Sequence, residues 1–186
     1  MDSAKRTLLK AAGLMVLGGA VRSAFTSRVA HAKPVASATM WVHGNNVQQE
    51  KTIAGMSMKH YGWGTEIQMA AGNASNWFHV PFTTVFTPQV QDNLRYRLFQ
   101  VYLLFRTDYA TLTAIHVWDG AKKIAEFNGL KVVGDHSAGI EISNQYDVIP
   151  AALIRTGLGI SFHVDFVSKY GSSFIVAAAG ADFLTP

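Results

Sequence analysis

The sequence predicts an all-β chain: an antiparallel β-sandwich of jelly-roll or immunoglobulin-like type, built from about nine or ten short strands. Three observations carry this reading. No stretch keeps the apolar period of a long helix, residues 158–167 alternate apolar with polar, and turn-forming Gly, Asn, Asp and Pro recur between apolar runs. A closed barrel of the same strands is the alternative.

In chain order, strands are predicted at 39–43, 46–53, 58–62, 65–70 and 76–82. Pro81 and Pro88 confine the chain around them to a sheet edge or a crossing loop. Residues 94–105 are half-polar at first and apolar on both sides later, as in a strand running from an exposed into a covered region. Asp119-Gly120 separates Leu112–Trp118 from Ala121–Phe127, and Asn128-Gly129 precedes Leu130–Val133. Both dipeptides suit tight hairpin turns, so the segment reads as a three-stranded meander. After a strand at 140–149, Leu158, Ile160, Phe162, Val164 and Phe166 face one side, opposite Gly159, Ser161, His163 and Asp165. The last strand, 172–179, is uncharged. At a sheet edge it would invite strand addition from another chain; in a central position it would be protected on both sides.

The chain has 186 residues, of which 49% are hydrophobic and 15% charged, so a packed core is affordable and overall disorder is excluded. Its beginning reads as an export signal. Lys5, Arg6 and Lys10 precede the apolar run AAGLMVLGGAV (11–21), and Ala30-His31-Ala32 has the form of a cleavage site. The run is too short to span a membrane as a helix, which takes about 20 residues. Lys5-Arg6-Thr7-Leu8-Leu9-Lys10 also resembles the twin-arginine export pattern, with Lys in place of the first Arg. The expected organisation is therefore a removed signal at 1–32, a short flexible N-terminus at 33–38 and one domain at 39–184. The expected location is the bacterial periplasm or the exterior, with no stable membrane anchor after cleavage. Removal of the signal takes away five basic residues and one acidic one, leaving 11 of each. The basic balance of the whole chain therefore carries no argument for nucleic acid. Without Cys there is no disulfide, thiol nucleophile or thiolate metal site.

Short blocks stand out along the domain: Met40-Trp41-Val42-His43-Gly44, Tyr61-Gly62-Trp63-Gly64-Thr65-Glu66, Asn76-Trp77-Phe78-His79, Trp118-Asp119-Gly120, Gly157-Leu158-Gly159-Ile160-Ser161 and Ala179-Gly180-Ala181-Asp182-Phe183. They resemble the signature blocks of a small bacterial exported family of β-sandwich proteins classed as a domain of unknown function. The resemblance covers nearly all of 39–184. It implies the fold and a single domain, and supplies no catalytic or ligand residues.

Candidate chemistry is sparse. Six histidines remain after the signal, four of them (His43, His79, His116, His163) on predicted strands. His163 and Asp165 share one strand face and are the candidates for a metal, yet no His-x-His or His-Glu-x-x-His spacing accompanies them. No metal or cofactor is expected. Asp119, Asp135, Asp147 and Asp182 are too isolated in sequence to read as a calcium loop. Ser137 with His136 and Asp135, or Ser161 with His163 and Asp165, supply the residue types of a hydrolase relay without a Gly-x-Ser-x-Gly elbow.

The four tryptophans carry more. Two or three are expected to anchor the core, with Trp63 and Trp77 as exceptions left open to stack on a ligand. Trp63, Trp77, His79, Trp118 and His136 are the candidate ligand-binding residues, expected on loops at one end of the sandwich. The function that follows is a non-enzymatic binding module for a glycan, an apolar small molecule or a protein surface. A self-associating surface protein using an edge strand, hence a homo-oligomer, is a second reading. A hydrolase with its site near His136 or His163 is a third.

Overall fold

The computed structural model describes residues 36, 38–83, 96–168 and 171–184. The proposed export signal at 1–32, Pro88 and the start of the strand predicted at 94–105 lie outside them. Twelve strands and two single-turn 3-10 helices are present among the described residues, with no α-helix. The strands are β1 (Ala38–His43), β2 (Gln48–Gln49), β3 (Met56–Tyr61), β4 (Gly64–Met69), β5 (Gly72–Pro81), β6 (Arg97–Asp108), β7 (Ala110–Asp119), β8 (Lys122–Val132), β9 (Asp135–His136), β10 (Gln145–Leu153), β11 (Leu158–Ser168) and β12 (Ser172–Leu184).

They form two antiparallel sheets. The first runs β10-β6-β12-β4-β3, with β1 also on β12 and β9 on β6; the second runs β2-β5-β11-β7-β8. Neither closes on itself. The chain is a β-sandwich, and the barrel alternative is set aside.

The period-two pattern explains the layering. Along β11, Leu158, Ile160, Phe162, Val164 and Phe166 are buried, and the intervening residues face outward. The same alternation buries Phe78 and Val80 on β5, and Phe174 and Val176 on β12. Between the sheets, Phe78, Phe162, Phe174 and Phe105 form a column with ring centroids 5.5, 5.6 and 5.0 Å apart. Phe78 and Phe162 belong to one sheet, Phe174 and Phe105 to the other, so this column ties the layers together.

Two expectations change here. Asn128-Gly129 does not turn the chain, because Lys122–Val132 is one strand. Leu112 pairs Val132 and Ala114 pairs Asn128, so β8 carries two extra residues at that point. Gly129, at φ 70°, accommodates that bulge where a turn was predicted. The meander is thus a hairpin with a bulged second strand. Residues 172–179, the candidate edge, lie in the central strand β12. It pairs β6 on one side and β4 and β1 on the other. Self-association through an edge strand loses the segment it relied on.

Close approaches fix the middle of β12. A Cβ on Gly44 would lie 2.0 Å from the Val176 carbonyl oxygen, and one on Gly64 2.2 Å from the same atom. Glycine is needed at both places because backbone meets backbone there.

Candidate functional site

None of the four tryptophans belongs to the core. Trp41 and Trp63 are 43% and 51% exposed, and Trp77 and Trp118 are half-buried. The expectation that two or three would be anchors is overturned. Phenylalanines fill the space between the sheets, while each Trp falls on the outward parity of its strand or in a turn.

Three of the predicted ligand residues meet on the outer face of the β2-β5-β11-β7-β8 sheet. Trp77 on β5 pairs His163 on β11, and Ser161 pairs His79 on one side and His116 on the other. The Trp77 ring leans across β11. Its centroid lies 4.4 Å from the His116 ring and 4.9 Å from that of His163. His116 is in turn 6.4 Å from Trp118, two residues along β7. The result is a continuous row of flat side chains on an open sheet face.

Each imidazole is held by a neutral partner. His79 Nδ1 is 2.8 Å from Ser161 Oγ, His116 Nε2 is 2.9 Å from Asn128 Oδ1, and His163 Nδ1 is 2.6 Å from Thr113 Oγ1. Each also has a carboxylate near. Glu50 stands 3.6 Å from His79, Glu126 3.9 Å from His116 and Asp165 3.6 Å from His163. The hydrogen bonds therefore fix the orientation of the three rings. His163 and Asp165 do share a face as expected, but among the described residues no three His, Asp or Glu side chains form a group able to hold a metal ion.

The other two predicted residues lie elsewhere. Trp63 sits in the β3–β4 turn of the opposite sheet, stacked on Tyr61 with centroids 4.7 Å apart. His136 is in β9, against the Phe105 ring at 5.1 Å, and its ring is bonded to Glu141, Ser143 and the Val133 carbonyl. A single cluster of loop-borne rings at one end is not what the chain builds. The aromatic row outside the core lies on a sheet face.

The relays imagined from the sequence are not assembled either. Ser137 Oγ donates directly to Asp135 at 2.6 Å while His136 is held by other groups, and Ser161 meets His79 instead of His163. His116 and Glu50 were not in the predicted ligand set. For His116 the signal was present, since it lies two residues from Trp118 and so shares its face.

The loop around His136 supplies a pH test. Partial burial works against the imidazolium, yet the hydrogen bonds to Glu141 and the Val133 carbonyl outweigh it and raise the pKa above the ordinary 6.5. The bond to His136 holds Glu141 below the ordinary 4.5. A raised histidine contributes stability that is full below 6.5 and is lost as pH rises through its folded value. A lowered glutamate contributes above 4.5 and loses it as pH falls. Glu141→Gln is expected to lower the melting temperature more at about pH 5.5 than at about pH 9. Equal losses at both would mean that the charge of the pair does not matter.

With that geometry, the class of the protein is a β-sandwich bearing an aromatic and imidazole face. Residues 35–173 match a family described as "Family of unknown function (DUF6623)", and the chain belongs to that family. No curated protein shows significant similarity to it. Among solved structures it is similar to TmCBM61 in complex with β-1,4-galactotriose, at 12% identity and TM-score 0.38 over 78% of this chain and 88% of that one. It is also similar to the carbohydrate-binding module CBM36 in complex with calcium and xylotriose, at 10% identity and TM-score 0.35 over 78% and 99% of the two chains.

Proposed function

We propose that this protein is an exported, non-enzymatic module that binds a glycan on the outer face of the β2-β5-β11-β7-β8 sheet. The observation that carries this reading is the row Trp77, His116 and Trp118, flanked by His79 and His163 and held rigid by hydrogen bonds. A sugar ring has an apolar C–H face and a rim of hydroxyls. An indole offers the matching apolar surface, and imidazoles, Asn128 and Glu50 offer donors and acceptors beside it. The basic leader and the small-x-small stop at Ala32 support export to the periplasm or beyond.

A serine, a histidine and a carboxylate do line up on this face as Ser161, His79 and Glu50. The surrounding sheet argues against turnover. Ser161 is only 7% exposed and lies in a strand paired on both sides, so its neighbouring amides are committed to the ladder. Among the described residues, the amides of the strand around Ser161 are thus not set up as a donor pair for a developing oxyanion, which is the largest single aid such a reaction needs.

Trp77→Ala is expected to keep the β-sheet dichroism spectrum while losing about 2 kcal/mol of binding, roughly thirtyfold in Kd, on an immobilised glycan panel. Undiminished retention by the folded variant would defeat the proposal. Unfolding of the variant would show that the ring is structural.

A further inference from the structure

The opposite face of the sandwich carries a second arrangement of rings. Across the first sheet, Trp41 on β1, Gly180 on β12 and Tyr102 on β6 lie side by side in register. Gly180 has no side chain, so the Trp41 ring folds over it and stacks on Tyr102 at 5.5 Å and 20°. A Cβ at Gly180 would stand only 2.7 Å from the indole. Tyr102 is itself fixed, because its hydroxyl donates to Asp182 at 2.5 Å and lies 2.6 Å from Gln100 Oε1, while Thr39 donates to Asp182 at 2.7 Å. The indole is thus positioned from beneath and from one side, yet 43% of the residue stays exposed.

The next row across the same three strands is His43, Ala178 and Leu104. Here the central strand again offers a small residue, but nothing folds over it. The space left open is a groove of about 540 Å³, lined by Trp41, His43, Leu104, Ala178 and Ile140. Ile140, 53% exposed, comes from the loop after β9. The volume is in the range of a small-ligand site, which runs about 300–1,000 Å³. His43 Nδ1 accepts from the Asn45 amide at 3.2 Å, and Nε2 has no partner among the described residues.

We propose that this groove is a second glycan subsite, taking one or two pyranose units of a neutral oligosaccharide with a C–H face against Trp41 and a hydroxyl on His43 Nε2. The apolar walls and the absence of Lys and Arg among the lining residues select a neutral sugar over an acidic one. It lies on the sheet opposite Trp77, so a chain with both sites holds two glycan strands at once and cross-links them.

The test is calorimetric titration of the full chain with neutral β-1,4-linked gluco-, xylo-, manno- and galacto-oligosaccharides. Wild type is expected to bind two ligands. Trp41→Ala is expected to weaken one site by about tenfold or more and leave the other. Gly180→Ala keeps all four tryptophans but displaces the indole, and should give the same loss with a changed tryptophan emission. Trp77→Ala should remove only the other site. If Trp77→Ala alone abolishes all binding, the second subsite is wrong and the first stands. If Trp41→Ala alone abolishes it, the second stands and the first is wrong. No sugar binding to wild type, or occupancy of the groove by an apolar dye alone, overturns the subsite.

Discussion

Phe162→Ala is expected to destabilise the protein by about 3–5 kcal/mol, the largest effect of any single substitution considered. Phe162 is fully buried and stands between Phe78 on its own sheet and Phe174 on the other. Its removal takes away the ring that bridges the layers and leaves a void its neighbours cannot fill without moving backbone. In strands paired on both sides that movement is resisted by the ladders of β5 and β7. The cavity therefore stays open, which places the cost toward the upper end of the range. For a chain of this size the melting temperature should fall by roughly 10 °C. Urea unfolding at neutral pH measures it, and a loss below about 1.5 kcal/mol would show that the column relaxes. Phe166→Ala, four residues along the same face of β11, is expected to cost about as much, since that residue meets Phe78 edge-on at 6.3 Å.

The layers were legible because burial in a sheet has a period of two, and Leu158, Ile160, Phe162, Val164 and Phe166 keep it along β11. The errors have physical causes of the same kind. A glycine at positive φ serves a turn and a bulge equally well, so Asn128-Gly129 looked like a hairpin where the strand continues past two extra residues. Tryptophan is large and usually covered, so the sequence alone places it in the core. Yet once Phe78 and Val80 fill the inward positions of β5, and Leu112, Ile115 and Val117 those of β7, the rings at 77 and 118 can only point out. Local spacing could show that His116 accompanies Trp118 and that His163 accompanies Asp165. It could not show that Trp77 reaches His116, because that contact crosses β11 and depends on two registers set by distant parts of the chain. The pairing of Trp41 with Tyr102 is hidden in the same way, and Gly180 is its only local sign.

Asp119→Ala is expected to cost about 2–4 kcal/mol, through a device the sequence assigned to a different turn. The carboxylate ends β7 and points toward the β10–β11 connection. There it accepts from the amides of Arg155 at 2.9 Å, Thr156 at 2.7 Å and Gly157 at 3.1 Å, and from the Thr156 hydroxyl at 2.8 Å. Alanine would take the shared carboxylate acceptor from three amides at once, in a connection where Arg155 and Thr156 are exposed and Gly157 is half-buried. Burial alone would raise the pKa of this carboxyl, but the bonds from Thr156, Gly157 and Arg155 outweigh it and lower the pKa below 3.8. A lowered acid contributes stability that is present above 3.8 and disappears as pH falls through the folded value. The gap between wild type and Asp119→Asn should therefore be steady near neutrality and shrink on acidification below about pH 3.8. A gap that stays constant in acid would mean that the charge contributes nothing beyond the hydrogen bonds. The same connection leads into the strand that carries Ser161 and His163, and Gly159 pairs with Trp118. Asp119→Asn, less damaging than alanine because one oxygen still accepts, should thus lower stability while leaving glycan retention near wild type. Trp77→Ala should do the reverse, and the two variants together separate what holds the sandwich from what its face does.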